Sequence, residues 1–290
     1  MSFTNAKYSS KSDMKKEIYS YVFVFILLLV PFNLLLAKTN HERKGDKMNE
    51  PRKTILAIGA HAGDMEISCG AVLAKQAKLG YRIVFLHLTL GEGGNPRMSA
   101  KEYGEQKRRE AMEVDSLLGG EAIFGPYKDG ELPNDQTARR YVANVIRTVK
   151  PTIIITHWKN SIHPDHANTF AITSDAVLLA SLPSVETVTP YSPKEEPAWR
   201  GVRRILYAEN WEDAEGFKPY IYVDVTDAYE TWEKAVARYE FIGGKISSFP
   251  YLNYYKALAV VRGAESGYKY AVAFDIDNFE KKIRWESLEP

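Results

Sequence analysis

Cysteine is almost absent: Cys69 is the single thiol among 290 residues. No intrachain disulfide can form, and a closed structural zinc site built on thiolates has no support. The redox compartment stays open, because an exported protein can do without disulfides. An excess of one charge is missing too, since 38 Lys and Arg oppose 37 Asp and Glu. Nucleic acid is therefore not expected as a partner. Two glycine signatures are also missing. The apolar run at 54–59 leads into Gly59-Ala60-His61-Ala62-Gly63-Asp64 without Gly-x-Gly-x-x-Gly, which argues against a dinucleotide-binding oxidoreductase. No Gly-x-Ser-x-Gly elbow occurs, so a Ser-His-Asp hydrolase is unsupported. Apolar residues make up 45 % and charged residues 26 %, an ordinary globular composition. That balance excludes a mostly disordered chain, a collagen-like fibre and a multi-span membrane protein.

The N-terminal stretch Ile18–Ala37 carries no charge and follows Lys7, Lys11, Lys15 and Lys16. It reads as a signal peptide or membrane anchor, and residues 38–51 as a polar linker, so the chain divides at 51/52. Pro31 and Asn33 interrupt the run and favour a signal peptide over a stable span. Lysines and arginines on both flanks leave its orientation open. Export or membrane anchoring is expected if this segment is translated. A cytoplasmic protein is expected if translation starts at Met48.

From residue 52 onward, short apolar runs alternate with amphipathic stretches. Thr54–Gly59, Tyr81–Leu88, Glu121–Phe124 and Thr152–Thr156 read as buried strands. Glu66–Gly80, Lys101–Leu118 and Gln136–Val149 read as helices. Further on, Arg203–Ala208 and Tyr220–Val225 read as strands and Asp227–Ile242 as a helix. Pro183–Pro197, with four prolines, reads as an exposed loop, and the aromatic-rich Ile246–Ala273 has no clear period. The alternation predicts an α/β fold: a Rossmann-like, open, mostly parallel sheet with helices on both faces.

Two polar clusters sit just past the carboxyl ends of predicted parallel strands, at residues 60–66 and 157–166. That edge is where open α/β sheets bind ligands. Four of the six histidines (His61, His157, His163 and His166) fall there. Neighbouring strands would bring His61, Asp64 and His166 together, two imidazoles and a carboxylate with a fourth position left to water, as in a catalytic zinc site. A histidine after a strand, taken alone, is more often a structural or solvated one than a ligand.

The same residues resemble the LmbE-like, or PIG-L, family of zinc-dependent N-deacetylases. The family's Ala-His-Pro-Asp-Asp is matched by Ala60-His61-Ala62-Gly63-Asp64, and its His-Pro-Asp-His is intact at His163–His166. Its Gly-Glu loop is matched at Gly91–Gly94, its late strand at Val223–Thr226, an Arg-Gly at Arg262-Gly263 and a Tyr-Ala-x-x-Phe at Tyr270–Phe274. The resemblance implies one zinc ion held by His61, Asp64 and His166. It implies His163 as the oxyanion-stabilising group and Glu92 near sugar hydroxyls. The expected substrate is an N-acetylated amino sugar, as a small molecule or within a glycolipid. The family's Arg-x-x-Glu is represented by Lys107 and Glu110, with Arg108 and Arg109 adjacent; Lys107 and Arg109 are the substrate-binding candidates, against the plainer reading of a solvated helix face. Asp165, between two site histidines, is expected to orient one of them.

One departure is chemical. The resemblance assigns the proton-transferring base to the first Asp of the pair, and Gly63 stands there. Acid–base help of this kind contributes about 10²–10⁴-fold in rate. Neither Glu66, His163 nor Asp165 is a compelling replacement. The sequence thus sets a deacetylase with a modified base against a metal-binding, catalytically weak relative that binds a glycoconjugate.

Overall fold

The computed structural model describes residues 53–213 and 215–282. The apolar stretch at 18–37 and the linker after it lie outside the described residues. Among the described residues no helix is long and apolar enough to cross a membrane.

In chain order the elements are β1 (Thr54–Gly59), α1 (Asp64–Lys78), β2 (Arg82–His87), α2 (Ala100–Leu117), β3 (Gly120–Phe124), α3 (Gln136–Val149), β4 (Ile153–His157), α4 (Pro164–Ser181), β5 (Arg204–Ala208), β6 (Ile221–Asp224), α5 (Tyr229–Val236), α6 (Tyr251–Ser266) and β7 (Ala271–Asp275). The strands form one sheet in the order β3-β2-β1-β4-β5-β7-β6. β3, β2, β1, β4 and β5 are mutually parallel, whereas β7 runs antiparallel to both β5 and β6. The expected α/β fold is therefore present, with β7 the reversed strand.

Alternation along β1 builds a core on each face. Ile55 and Ala57 join Met65, Leu73, Val114 and Trp232 on one side. Leu56 and Ile58 join Val142, Ile146, Ile172 and Ala176 on the other. Each of the larger aliphatic side chains among these contributes about 1.5–3 kcal/mol by leaving water. A strand buried on both faces reads as a continuous apolar run, which is why β1 is legible to the residue.

Two segments differ from expectation, and a third is as expected but anchored. The proline-rich stretch 183–197 is irregular and mostly exposed, yet Thr187 is buried and Arg147, 1 % exposed, reaches into it. Its guanidinium donates to the carbonyls of Leu182 (2.7 Å) and Val185 (2.9 Å) and pairs with Glu195. The helix expected over 227–242 covers only Tyr229–Val236; i→i+3 bonds from Arg238 and Tyr239 then wind the chain tighter. The aromatic-rich stretch resolves into α6 and β7.

Strand order reverses between β1 and β4. The two polar clusters leave the sheet side by side at that switch point.

Candidate metal centre

Past β1, Gly63 adopts φ +109°, a left-handed conformation that turns the chain directly into α1. Its N–H donates to Glu66 Oε1 at 3.0 Å. The turn folds Asp64 back, so that the His61 N–H donates to Asp64 Oδ2 at 2.7 Å. Past β4, His163 is the N-cap of α4, with Pro164 at the first helical position. His163 Nδ1 accepts the Asp165 N–H at 3.2 Å, and His166 follows within the first turn. Helix α4 was not anticipated, because its start lies inside the motif itself.

Three donor atoms then meet. His61 Nδ1 lies 3.2 Å from His166 Nε2, and Asp64 Oδ2 lies 3.3 Å from each of them. Ligands about 2.0–2.1 Å from a tetrahedral divalent ion stand about 3.3–3.4 Å apart, so the triangle has the right size. The far side of each ring supplies a second reason. His61 Nε2 faces Asp129 Oδ1 (3.0 Å) and Asp165 Oδ2 (3.3 Å). His166 Nδ1 faces Ser161 Oγ and Glu212 Oε2, both at 3.2 Å. Acceptors behind the rings hold their protons outward, leaving two lone pairs and a carboxylate oxygen to converge. With both inner nitrogens unprotonated the arrangement would be repulsive; a cation would relieve that, and without one a proton on His61, paired with Asp64, does so.

Two other histidines are committed elsewhere. His157 Nε2 accepts the Ala60 N–H at 3.0 Å, although it also lies 3.1 Å from Asp64 Oδ2. Burial, reinforced by His166, lowers this ring to about 4, so it stays neutral. Burial and the neighbouring His61 and His166 also lower His163. Burial opposes the charged form of His61, but Asp64, Asp129 and Asp165 outweigh it and raise the ring well above its usual value. Burial likewise opposes the Asp64 carboxylate, and His166 and His61 override it, holding the group well below the usual range.

The centre opens into a cleft of about 230 Å³, walled by Tyr103, Lys107, Trp211, Phe241 and Tyr251. His61, Asp64, His163 and His166 line it together. Asp165 stands behind the cleft: its carboxylate accepts the N–H groups of Gly130 (2.7 Å) and Leu132 (3.3 Å) and holds His61 from the rear. Two substrate-binding expectations are not met by position. Glu92 accepts the Asp129 N–H at 3.0 Å and is not among the residues lining the cleft. Arg109 is exposed outside the cleft, because residues two apart on a helix face different ways and Lys107 takes the inward place. Asp129 and Glu212 were missed. Asp129 reads as turn chemistry in Lys128-Asp129-Gly130, and Glu212 follows β5 at the same sheet edge, a signal that was available.

The space beside Gly63 is occupied. A Cβ on Gly63 would lie 2.6 Å from Phe241 Cζ and 3.5 Å from Lys107 Nζ. Behind Gly63, Glu66 accepts the Tyr239 hydroxyl proton and lies 4.0 Å from His87, which bonds Asp115 at 2.9 Å. Burial and Glu66 raise Asp115 to about 7.

Residues 56–177 match the PIG-L family, described as GlcNAc-PI de-N-acetylase. Over these residues the chain is similar to a PIG-L domain. The PIG-L match spans both clusters of the centre. The chain is 28 % identical to the diacetylchitobiose deacetylase of Thermococcus kodakarensis over 83 % of this chain and 88 % of that one. It is 24 % identical to a 4-oxalmesaconate hydratase of Pseudomonas putida, over 78 % and 86 %. A solved structure, the conserved protein TT1542 of Thermus thermophilus, superimposes with a TM-score of 0.65 at 26 % identity, covering 77 % of this chain and 93 % of that one. The fold is that of PIG-L proteins, and the relatives include deacetylases of N-acetylated sugars beside this hydratase.

Proposed function

We propose that the protein is a zinc-dependent N-deacetylase acting on an N-acetylated amino sugar, either free or as part of a glycoconjugate. The observation that supports this reading is the triangle of inward-facing donors on His61, Asp64 and His166, with carboxylates behind both rings. Zinc bound there would acidify a water molecule and polarise an amide carbonyl. The chain's own residues do the remaining work. Asp129 and Asp165 fix the tautomer of His61, and Ser161 with Glu212 fixes that of His166. His163, whose Nδ1 is occupied by the Asp165 N–H, carries its proton on Nε2 and offers it to the acetamide oxygen. A donor aimed at a developing oxyanion is worth roughly 10²–10³ in rate. Trp211, Phe241 and Tyr251 give the cleft aromatic walls suited to a sugar face.

The test is release of acetate by the zinc-loaded full chain from N-acetylglucosamine, diacetylchitobiose and a glucosaminyl-inositol acetamide. Acetate is expected from at least one of them. His163→Ala is expected to lower kcat about 10²–10³-fold with zinc content unchanged. One zinc per chain with no acetate from any N-acetylhexosamine conjugate overturns the reading. It would then favour binding without turnover, which the closed space at Gly63 supports. The hydratase name of the Pseudomonas putida relative makes addition of water to an unsaturated acid a useful further arm.

A further inference from the structure

The proposed hydrolysis needs a group that takes a proton from water and returns one to the leaving nitrogen, and residue 63 has no side chain to do so. Lys107 reaches that place from α2. Its Nζ lies 3.5 Å from the position of a Cβ on Gly63, and it donates to the Ala62 carbonyl on the loop of the metal centre. The side chain is 3 % exposed, yet it lines the cleft together with His61 and Asp64. Its nitrogen stands 3.8 Å above the Phe241 ring and 4.8 Å from that of Tyr239. Among the described residues it forms no ion pair. Burial works against this ammonium, and it outweighs the carbonyl, the two ring faces and the carboxylates nearby, none of which forms a direct ion pair with it.

We propose that Lys107 is the proton-transfer residue of this site, standing in for the carboxylate that Gly63 lacks. The assignment rests on the deacetylase reading above. As the water oxygen bonds to the amide carbon, the free amine of Lys107 takes the water proton. As the C–N bond breaks, the resulting ammonium returns that proton to the departing nitrogen. The products are acetic acid, which ionises in solvent, and a primary amine; Lys107 ends as it began. The groups facing the amine are Asp64 and Glu66 from α1, His87 from β2, Glu110 on its own helix, Asp129 after β3 and Tyr239 after α5. Burial outweighs the surrounding carboxylates and lowers the amine to about 8, where a proton passes readily in both directions.

Lys107→Met and Lys107→Arg test this in the zinc-loaded full chain. Both are expected to lose about 10²–10⁴-fold in kcat while KM and zinc content stay within about twofold, because an arginine cannot surrender its proton. The rise of wild-type kcat/KM with pH through about 8 disappears in both variants. In Lys107→Ala, methylamine restores part of kcat. A reading independent of turnover comes from NMR of the holoprotein with isotope-labelled methyl groups on its lysines: one resonance titrates near 8 and is missing from Lys107→Met. An arginine variant within about threefold of wild type, or lysine resonances that all titrate above about 10, overturns the assignment. Active wild type beside equally active Lys107 variants removes this proposal alone. Wild type that releases no acetate removes the deacetylase reading, and this one with it.

Discussion

At residue 63 the backbone and the packing exclude a side chain together. The left-handed φ costs a non-glycine residue about 1–2 kcal/mol, and Phe241 blocks the Cβ. Restoring an aspartate is therefore expected to harm the protein. We expect Gly63→Asp to destabilise by about 2–3 kcal/mol in urea unfolding, and Phe241→Ala in the same chain to recover much of that loss, a coupling that a double-mutant cycle measures. Lys107 carries its own signature. Its folded value of about 8 lies below the unfolded value near 10.4, so the unfolded chain binds more protons between those limits. Stability rises with pH through that window, and the penalty is present in full below about 8. Lys107→Met lacks the rise and is expected to be more stable than wild type at pH 7, by up to roughly 3 kcal/mol, as thermal unfolding from pH 6 to 10 would show. At this scale the sequence displays ligand types well and packing poorly. His61, Asp64 and His166 stand in recognisable spacing, whereas nothing local to Phe241 reveals that its ring fills the space beside a glycine about 180 residues away.

Elements place the donors, and the legible elements are the ones whose burial is uniform. β1 and β4 are apolar on both faces and stand out as runs, and α3 shows the full amphipathic pattern from Gln136 to Val149. α4 does not, because its first turn consists of site residues whose polarity serves the cleft instead of the core. β7 is short and reversed, and its aromatic surroundings hide the change from helical to strand period. Two expectations belong here. Asp165 ties the turn at Gly130–Leu132 to His61, so Asp165→Ala is expected to weaken zinc binding about 10–100-fold by competition titration, while far-UV circular dichroism stays unchanged. Arg147 fastens the irregular stretch 183–197 to α3 and α4. Arg147→Met leaves the carbonyls of Leu182 and Val185 without this donor, while Glu195 keeps the Thr187 and Val188 N–H groups; it is expected to cost about 1–3 kcal/mol and to admit protease within 183–197 before the rest of the chain unfolds.

For the whole molecule, the reversal of strand order between β1 and β4 brings together residues about a hundred positions apart, so a cation bound between them would be thermodynamically linked to the fold. Zinc at a hundred times its dissociation constant is expected to add about 2.7 kcal/mol of stability, visible as a rise in Tm that His61→Ala abolishes. The gain is expected to shrink on acidification. The carboxylates around His61 raise its affinity for a proton, and protons compete with the metal for its inner nitrogen.

His157 gives this linkage a direction. Its ring lies flat against His166, with centroids 4.0 Å apart, and grips the Ala60 amide across the junction of β1 and β4. Both contacts are made by protein groups alone, so the two halves of the cradle are clasped without a metal. An ion bound there would enter a finished mould, and little of the chain would have to rearrange around each new arrival.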